Sequence, residues 1–216
     1  MKWQPARPQV AVPRGRRVPP ALQADNAVSW RSFDPVDVVD GWVTSPMRTV
    51  LDCARLLPFD EALAVADSAL RLELVTREGL QVAGAAFAGR GRRSVCRVLT
   101  AADGRAANPF ESVLRAICLD VPGLTMTPQV VIRAATSEVF LGRVDLADVR
   151  LRIIAEADSY EFHGDRELME RDCCRYDELA LDDWLLLRFP WPRVMRRQVW
   201  VRSVLTRAVA LQTARG

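Results

Sequence analysis

Lysine is almost missing from this sequence. Of thirty basic residues Lys2 alone is a lysine, so beyond the second position every fixed positive charge is a guanidinium. Histidine is as scarce: His163 is the only one, and with it the only side chain whose ordinary pKa lies near neutrality. The five cysteines (Cys53, Cys96, Cys118, Cys173, Cys174) are odd in number and show no C-x-x-C spacing. A disulfide scaffold is excluded, and they read as reduced core thiols. No apolar run approaches the ~20 residues that span a bilayer. Met1–Pro20 is rich in proline and arginine and lacks the apolar stretch of a signal peptide. A cytoplasmic location without membrane contact is the expectation.

What remains is ordinary globular composition, half hydrophobic and 26% charged, over 216 residues. That length holds one full domain and a smaller one. The net charge is only +3, so any nucleic-acid contact must come from a local patch.

The chain divides by pattern. Residues 1–42, with Pro5, Pro8, Pro13, Pro19 and Pro20 beside Arg14, Arg16 and Arg17, favour extended or turn conformations, with short strands near Gln9–Val12 and Ala27–Trp30. Residues 43–104 read as a small helical subdomain. Ser45-Pro46 is a helix start, Val50, Leu51, Ala54 and Leu57 form one stripe, a second helix runs from Asp60 to Leu72, and a third begins at Thr76. Gly89-Arg90-Gly91-Arg92-Arg93 is a basic turn that meets either phosphates or water.

Residues 105–216 read as helix, three strands, helix, strand, helix. Phe110, Val113, Leu114, Ile117 and Cys118 recur at the spacing of a helix that buries one face. Strands are expected at Thr127–Arg133, Val139–Leu146, Leu151–Ala157 and Trp184–Phe189, with a helix over Asp165–Leu181. The fold class is therefore α/β (α+β), a mixed sheet flanked by helices and preceded by the helical subdomain.

The chemistry concentrates in the third and fourth of these segments. A hairpin turning at Val149 and Arg150 sets Asp145 beside Ile154, with Glu156 a diagonal neighbour and Asp158 about 7 Å further along the same face. Three carboxylates so placed call for a cation, raised pKa values or an arginine; hard oxygen donors favour Mg²⁺ or Mn²⁺. The plainer reading is a surface hairpin whose acids pair with Arg143, Arg150 and Arg152. Glu111 lies three residues after Asn108, a capping-box spacing. His163 follows the acidic strand, where an imidazole can move protons or face a phosphate. Arg171 and Arg175 share a helix face, either gripping phosphates or pairing with Glu167 and Glu170.

Asn108-Pro109-Phe110-Glu111-Ser112, Arg143-Val144-Asp145-Leu146, Glu156-Ala157-Asp158-Ser159, Phe162-His163-Gly164, Arg171-Asp172-Cys173-Cys174-Arg175-Tyr176 and Leu185-Leu186-Leu187-Arg188-Phe189 together resemble actinobacterial endonuclease-like proteins. These are similar to very-short-patch-repair endonucleases of the PD-(D/E)XK superfamily. The resemblance covers roughly residues 108–215. It implies a restriction-endonuclease-like core with Asp145 and Glu156 as ligands of Mg²⁺ or Mn²⁺, Glu111 near the metal, and His163 catalytic or phosphate-facing. It also implies DNA as partner, held by Arg143, Arg171 and Arg175. Asp158 stands where the superfamily commonly has lysine, so positive charge at the site falls to His163, Arg171 or Arg175. The helical region resembles one that follows the winged helix of AbiEi-type antitoxins, and residues 1–42 would be a remnant of that module, truncated or lost.

The expected function is a metal-dependent DNA endonuclease or nickase. The alternative is a catalytically impaired DNA-binding or antitoxin-like regulator on the same fold, and a third option is a protein-binding domain whose acids serve surface pairing. The sequence leaves the recognised DNA and the oligomeric state open, a homodimer among the options.

Overall fold

The structure, a computed structural model, describes residues 6–31, 33–135, 137–158 and 166–215, with the backbone alone for 166–169. Strand β1 (Gln9–Val12) pairs in parallel with β2 (Ala27–Trp30), and helix α1 (Pro20–Asp25) lies between them. That helix was not expected in an extended segment. Pro20 sits in its first turn, where a missing N–H costs nothing, and Ala21, Leu22, Gln23 and Ala24 are good helix formers. A short 3-10 turn (Pro35–Asp37) and the two-residue strands β3 (Val38–Val39) and β4 (Val43–Thr44) follow.

Helices α2 (Pro46–Leu56), α3 (Phe59–Arg71), α4 (Arg77–Ala86) and α5 (Arg92–Ala101) form the expected helical region. The starts read from sequence are real caps: Ser45 accepts the amide of Arg48, and Thr76 that of Gly79. Val50, Ala54, Ala62, Ala66, Leu80, Val95 and Val98 share one core. The chain then doubles back tightly at Gly104, where a Cβ would stand 2.9 Å from that of Leu70 and 3.1 Å from the amide nitrogen of Arg71.

Helix α6 (Pro109–Cys118) links this region to the sheet. Its Arg115 donates to both carboxylate oxygens of Asp67 on α3 at 2.8 Å, and both side chains are buried. Its apolar face packs on the sheet and on α8 (Trp191–Arg196) and α9 (Gln198–Thr213), in a core with Val113, Leu114, Ile117, Leu146, Ile153, Phe189, Val201 and Leu205. The single terminal helix expected from sequence is thus two, parted at Arg197, which has left helical geometry at φ −135° and ψ 48°.

The sheet is mixed, in the order β5 (Thr127–Arg133), β6 (Phe140–Asp148), β7 (Ile153–Asp158), β8 (Leu185–Pro190). The first three strands run antiparallel; β8 joins β7 in parallel, as a crossover through α7 (Arg166–Leu181) requires. Leu179 of α7 covers the face opposite α6, over Ile132, Val144, Ala147 and Ile154. Of the cysteines only Cys118 is fully buried, with Cys53 and Cys96 half-buried. Cys173 and Cys174 are exposed on the outer side of α7, which corrects the expectation of core thiols for that pair. Among the described residues no helix is long and apolar enough to cross a membrane.

Candidate active site

The register of the β6–β7 hairpin differs by two residues from the sequence expectation, which leaves each side chain on its expected face. Ala147, not Asp145, lies across from Ile154, and Leu146 faces Ala155. The connection is four residues long rather than two. Asp148 is buried and binds it from inside, its Oδ1 accepting from Leu151 at 3.0 Å and its Oδ2 from Thr125 at 2.7 Å, and Arg152 takes φ +51°. One further step along this register brings Asp145 opposite Glu156, so the two acids are directly opposed rather than diagonal.

At that point the backbone ladder gives way to side-chain bonding. Asp145 Oδ2 accepts the amide of Ala157 at 2.9 Å. On the other flank of β6 the pairs Pro128–Leu146 and Val130–Val144 skip Gln129, which is in the left-handed region at φ +55°. An unbranched polar residue held there is a local strain of roughly 1–3 kcal/mol, kept only where its surroundings impose it. Gln129 uses the conformation to donate from Nε2 to Glu111 Oε2 at 2.9 Å.

Glu111 is buried at the start of α6 and fully engaged. Its Oε2 also accepts from the amide of Ala107 at 2.8 Å, and its Oε1 from Asn108 Nδ2 at 2.7 Å. Asn108 Oδ1 in turn caps the amides of Phe110 and Glu111. The capping role read from sequence is therefore present, one residue displaced from the usual box because the acid reaches the amide before the cap. Glu111 still feels the site, since burial first and the charge of Asp145 second raise its pKa.

Glu156 is buried, and Arg175 of α7 reaches it, Nη2 standing 3.0 Å from Oε1 and 3.3 Å from Oε2. Burial raises the pKa of Glu156, with Arg175 opposing and Asp145 adding to the rise. Burial likewise raises that of Asp145, against the Ala157 amide, Arg175 and Arg143. For Arg175 burial acts downward, but Glu156 and Tyr176 outweigh it and the guanidinium is held more firmly protonated than usual. Arg175 passes close over Gly142, whose absent Cβ would stand 3.0 Å from Cδ.

The expected third carboxylate of the hairpin is not in this group. Asp158 pairs with Arg188 of β8 at 3.1 Å, and Arg188 in turn stacks 4.8 Å over the ring of Tyr176. Glu111 takes its place beside Asp145. The surface pairing weighed for the hairpin is met in part: Arg150 stands 3.8 Å from Asp148 and donates to the carbonyl of Gly123, whereas Arg152 meets Asp182 at 3.8 Å. Arg143 and Arg171 are exposed. His163, and Glu167 as a side-chain partner, lie outside the described residues. Sequence reasoning gave no role to Gln129, Tyr176 or Arg188; the last two lie within stretches that carry the resemblance, but what they contact depends on the register and on the crossover through α7.

Asp145 and Glu156 offer hard oxygen donors, and two carboxylates are what Mg²⁺ commonly takes from protein, water and substrate supplying the rest. Among the described residues no three histidine, cysteine or acidic side chains gather closely enough to hold an ion as a group. The opposed pair fits such an ion in donor chemistry, provided Arg175 yields an oxygen of Glu156.

Two curated proteins of Mycobacterium tuberculosis are similar to the chain: "Uncharacterized protein MT2308" of strain CDC 1551 / Oshkosh and "Uncharacterized protein Rv2248" of strain ATCC 25618 / H37Rv. Each is 34% identical over 148 residues, covering 67% of this chain and 53% of the relative. The chain thus spans about half the length of the curated relatives it matches. No family model matches it, and no solved structure matches it.

Proposed function

We propose that the chain is a metal-dependent DNA endonuclease or nickase of restriction-endonuclease-like architecture, with Asp145 and Glu156 holding Mg²⁺ or Mn²⁺. The observation that carries this reading is the pair of carboxylates meeting across β6 and β7, both with raised pKa values. Burying two like charges side by side is costly unless a cation joins them. When bound, the ion supplies an activated water and offsets charge on the scissile phosphate. Asp145 is preset for this by the Ala157 amide, which fixes one of its oxygens. Glu111, fixed by Ala107, Asn108 and Gln129, keeps negative potential on the approach to Asp145. Arg175 exchanges Glu156 for a phosphate oxygen as DNA arrives, supplying the charge that lysine supplies in similar enzymes. The exposed Arg143 and Arg171 hold the backbone on either side.

The same Arg175 favours a second reading. At 3.0 Å it already neutralises Glu156, and a site so closed suits a catalytically impaired DNA-binding or antitoxin-like regulator.

Supercoiled and mismatched plasmid incubated with and without Mg²⁺ or Mn²⁺ separates the two. Nicking that needs the metal and is lost in Asp145→Ala and Glu156→Ala supports the nuclease. Salt-sensitive binding without nicking transfers the assignment to the regulator.

A further inference from the structure

Away from the acidic strands, four arginines from three parts of the chain line one pocket of about 340 Å³: Arg14 beyond β1, Arg31 at the end of β2, and Arg48 and Arg55 on α2. Two acids partly balance them. Asp52 takes Arg48 through both oxygens at 3.1 and 3.2 Å, stands 2.7 Å from Arg31 Nη1 and lies 3.8 Å from Arg55. Asp37 takes the remaining Arg48 nitrogen at 3.1 Å. Four guanidinium groups against two carboxylates leave a surplus of two positive charges around one cavity. The buried Nη1 of Arg31, though close to Asp52, is aligned too poorly to hydrogen-bond to it and has no hydrogen-bond partner among the described residues.

The arrangement is built rather than incidental. The indole of Trp30 donates to the carbonyl of Arg16 at 2.9 Å, pinning the loop that carries Arg14 against β2. Arg48 stacks 5.0 Å from the ring of Phe33. Arg55 packs on Gly91, where a Cβ would stand 2.6 Å from its Cγ; Gly91 takes φ +90°, so only glycine fits the turn beneath it. That contact joins the pocket to the Gly89–Arg93 turn, whose Arg90, Arg92 and Arg93 are exposed. On the other side Arg16 and Arg17 are exposed along the same arm.

We infer that this pocket is a phosphate-binding site, separate from the acidic pair, that takes a backbone phosphate of a bound polynucleotide. Guanidinium forks match phosphate oxygens two at a time, and the cavity is roughly ten times the 30 Å³ share of one liquid water, room for a phosphate and its remaining hydration. A lone small anion would need only the pocket. The continuation of exposed arginine on both sides suits a polymer with a phosphate at every step. The inference extends the reading of the chain as a DNA-binding protein and stands independently of cleavage.

Its test is fluorescence anisotropy of the full chain with a labelled DNA duplex in metal-free buffer across a salt series. Wild type is compared with Arg14→Ala/Arg55→Ala, which spares the closely paired Arg31 and Arg48, and with Asp52→Asn. Each lost phosphate contact lowers the slope of log K against log salt by about 0.9. The double variant is expected to lose about 0.9 units of slope, one phosphate contact, and at least tenfold in affinity near 0.1 M salt, while Asp52→Asn binds more tightly than wild type. Inorganic phosphate should compete with DNA at the wild-type protein and less at the double variant. Unchanged slope and affinity in a folded double variant overturn the pocket. So does a loss confined to anionic phospholipid vesicles or to a phosphopeptide with DNA binding intact. Slope loss without metal-dependent nicking upholds the pocket and overturns the nuclease; nicking with an unchanged slope does the reverse.

Discussion

The guanidinium of Arg175 lies 3.0 Å from Glu156 Oε1, tying α7 to β7 across the end of the sheet. The two side chains keep 23% and 11% of their exposure, so the pair is only partly screened. Arg175→Gln should cost about 1–3 kcal/mol in urea unfolding, because it leaves a buried carboxylate without its cation. The same change frees both oxygens of Glu156, and Mn²⁺ affinity should rise several-fold. A variant that loses stability and gains no affinity for Mn²⁺ would mean that Arg175 and the ion do not compete for Glu156.

Burial raises the folded pKa values of Glu111, Asp145 and Glu156, and of Asp67, above unfolded values of about 4. Between the unfolded and the raised folded values the native state binds more protons than the unfolded chain. Stability therefore falls as pH climbs through that window and levels off above it. Asp103, lowered by Arg105 despite its burial, works in the opposite direction. Asp145→Asn removes one raised acid and relieves the other two, so it should be more stable than wild type at neutral pH, and the gap should close on acidification. Thermal melts from acid to neutral pH check this; a gap that widens on acidification contradicts it.

Asp67 and Arg115, buried between α3 and α6, make the helical region and the sheet region mutually dependent. Arg115→Met alone should cost about 3–5 kcal/mol, whereas Asp67→Leu/Arg115→Met recovers most of the loss. Denaturant midpoints measure both, and a double variant no better than the single one would show that the helices need the charge pair itself.

Asn108 caps α6 and steadies Glu111. Asn108→Ala is expected to lower stability by about 1 kcal/mol. Asn108→Asp keeps the cap but sets a carboxylate in place of the amide that donates to Glu111 Oε1, so any cleavage activity should fall at least as far as in Asn108→Ala while the cap's contribution to stability is retained.

Much of this was legible in the sequence. The caps at Ser45, Thr76 and Asn108 and the strand Thr127–Arg133 follow from side-chain chemistry and period, both local. The mixed sheet follows from the order of elements. The hairpin register was not legible, because it depends on Asp148 folding into its own turn and on Arg152 adopting a left-handed conformation. That two-residue shift moved Asp145 from Ile154 to Glu156. The partners of Glu156 and Asp158 were equally out of reach. Arg175 and Arg188 arrive from α7 and β8, far along the chain, and their choice of acid is set by the crossover.

The opposed acids of β6 and β7 are tested most directly by titrating Mn²⁺ into the full chain by calorimetry, beside Asp145→Asn and Glu156→Gln. One site that is present in wild type, tighter in Arg175→Gln and lost in both carboxamide variants is the expected result. Equal binding by all four proteins, or none by any, would contradict a metal centre at Asp145 and Glu156.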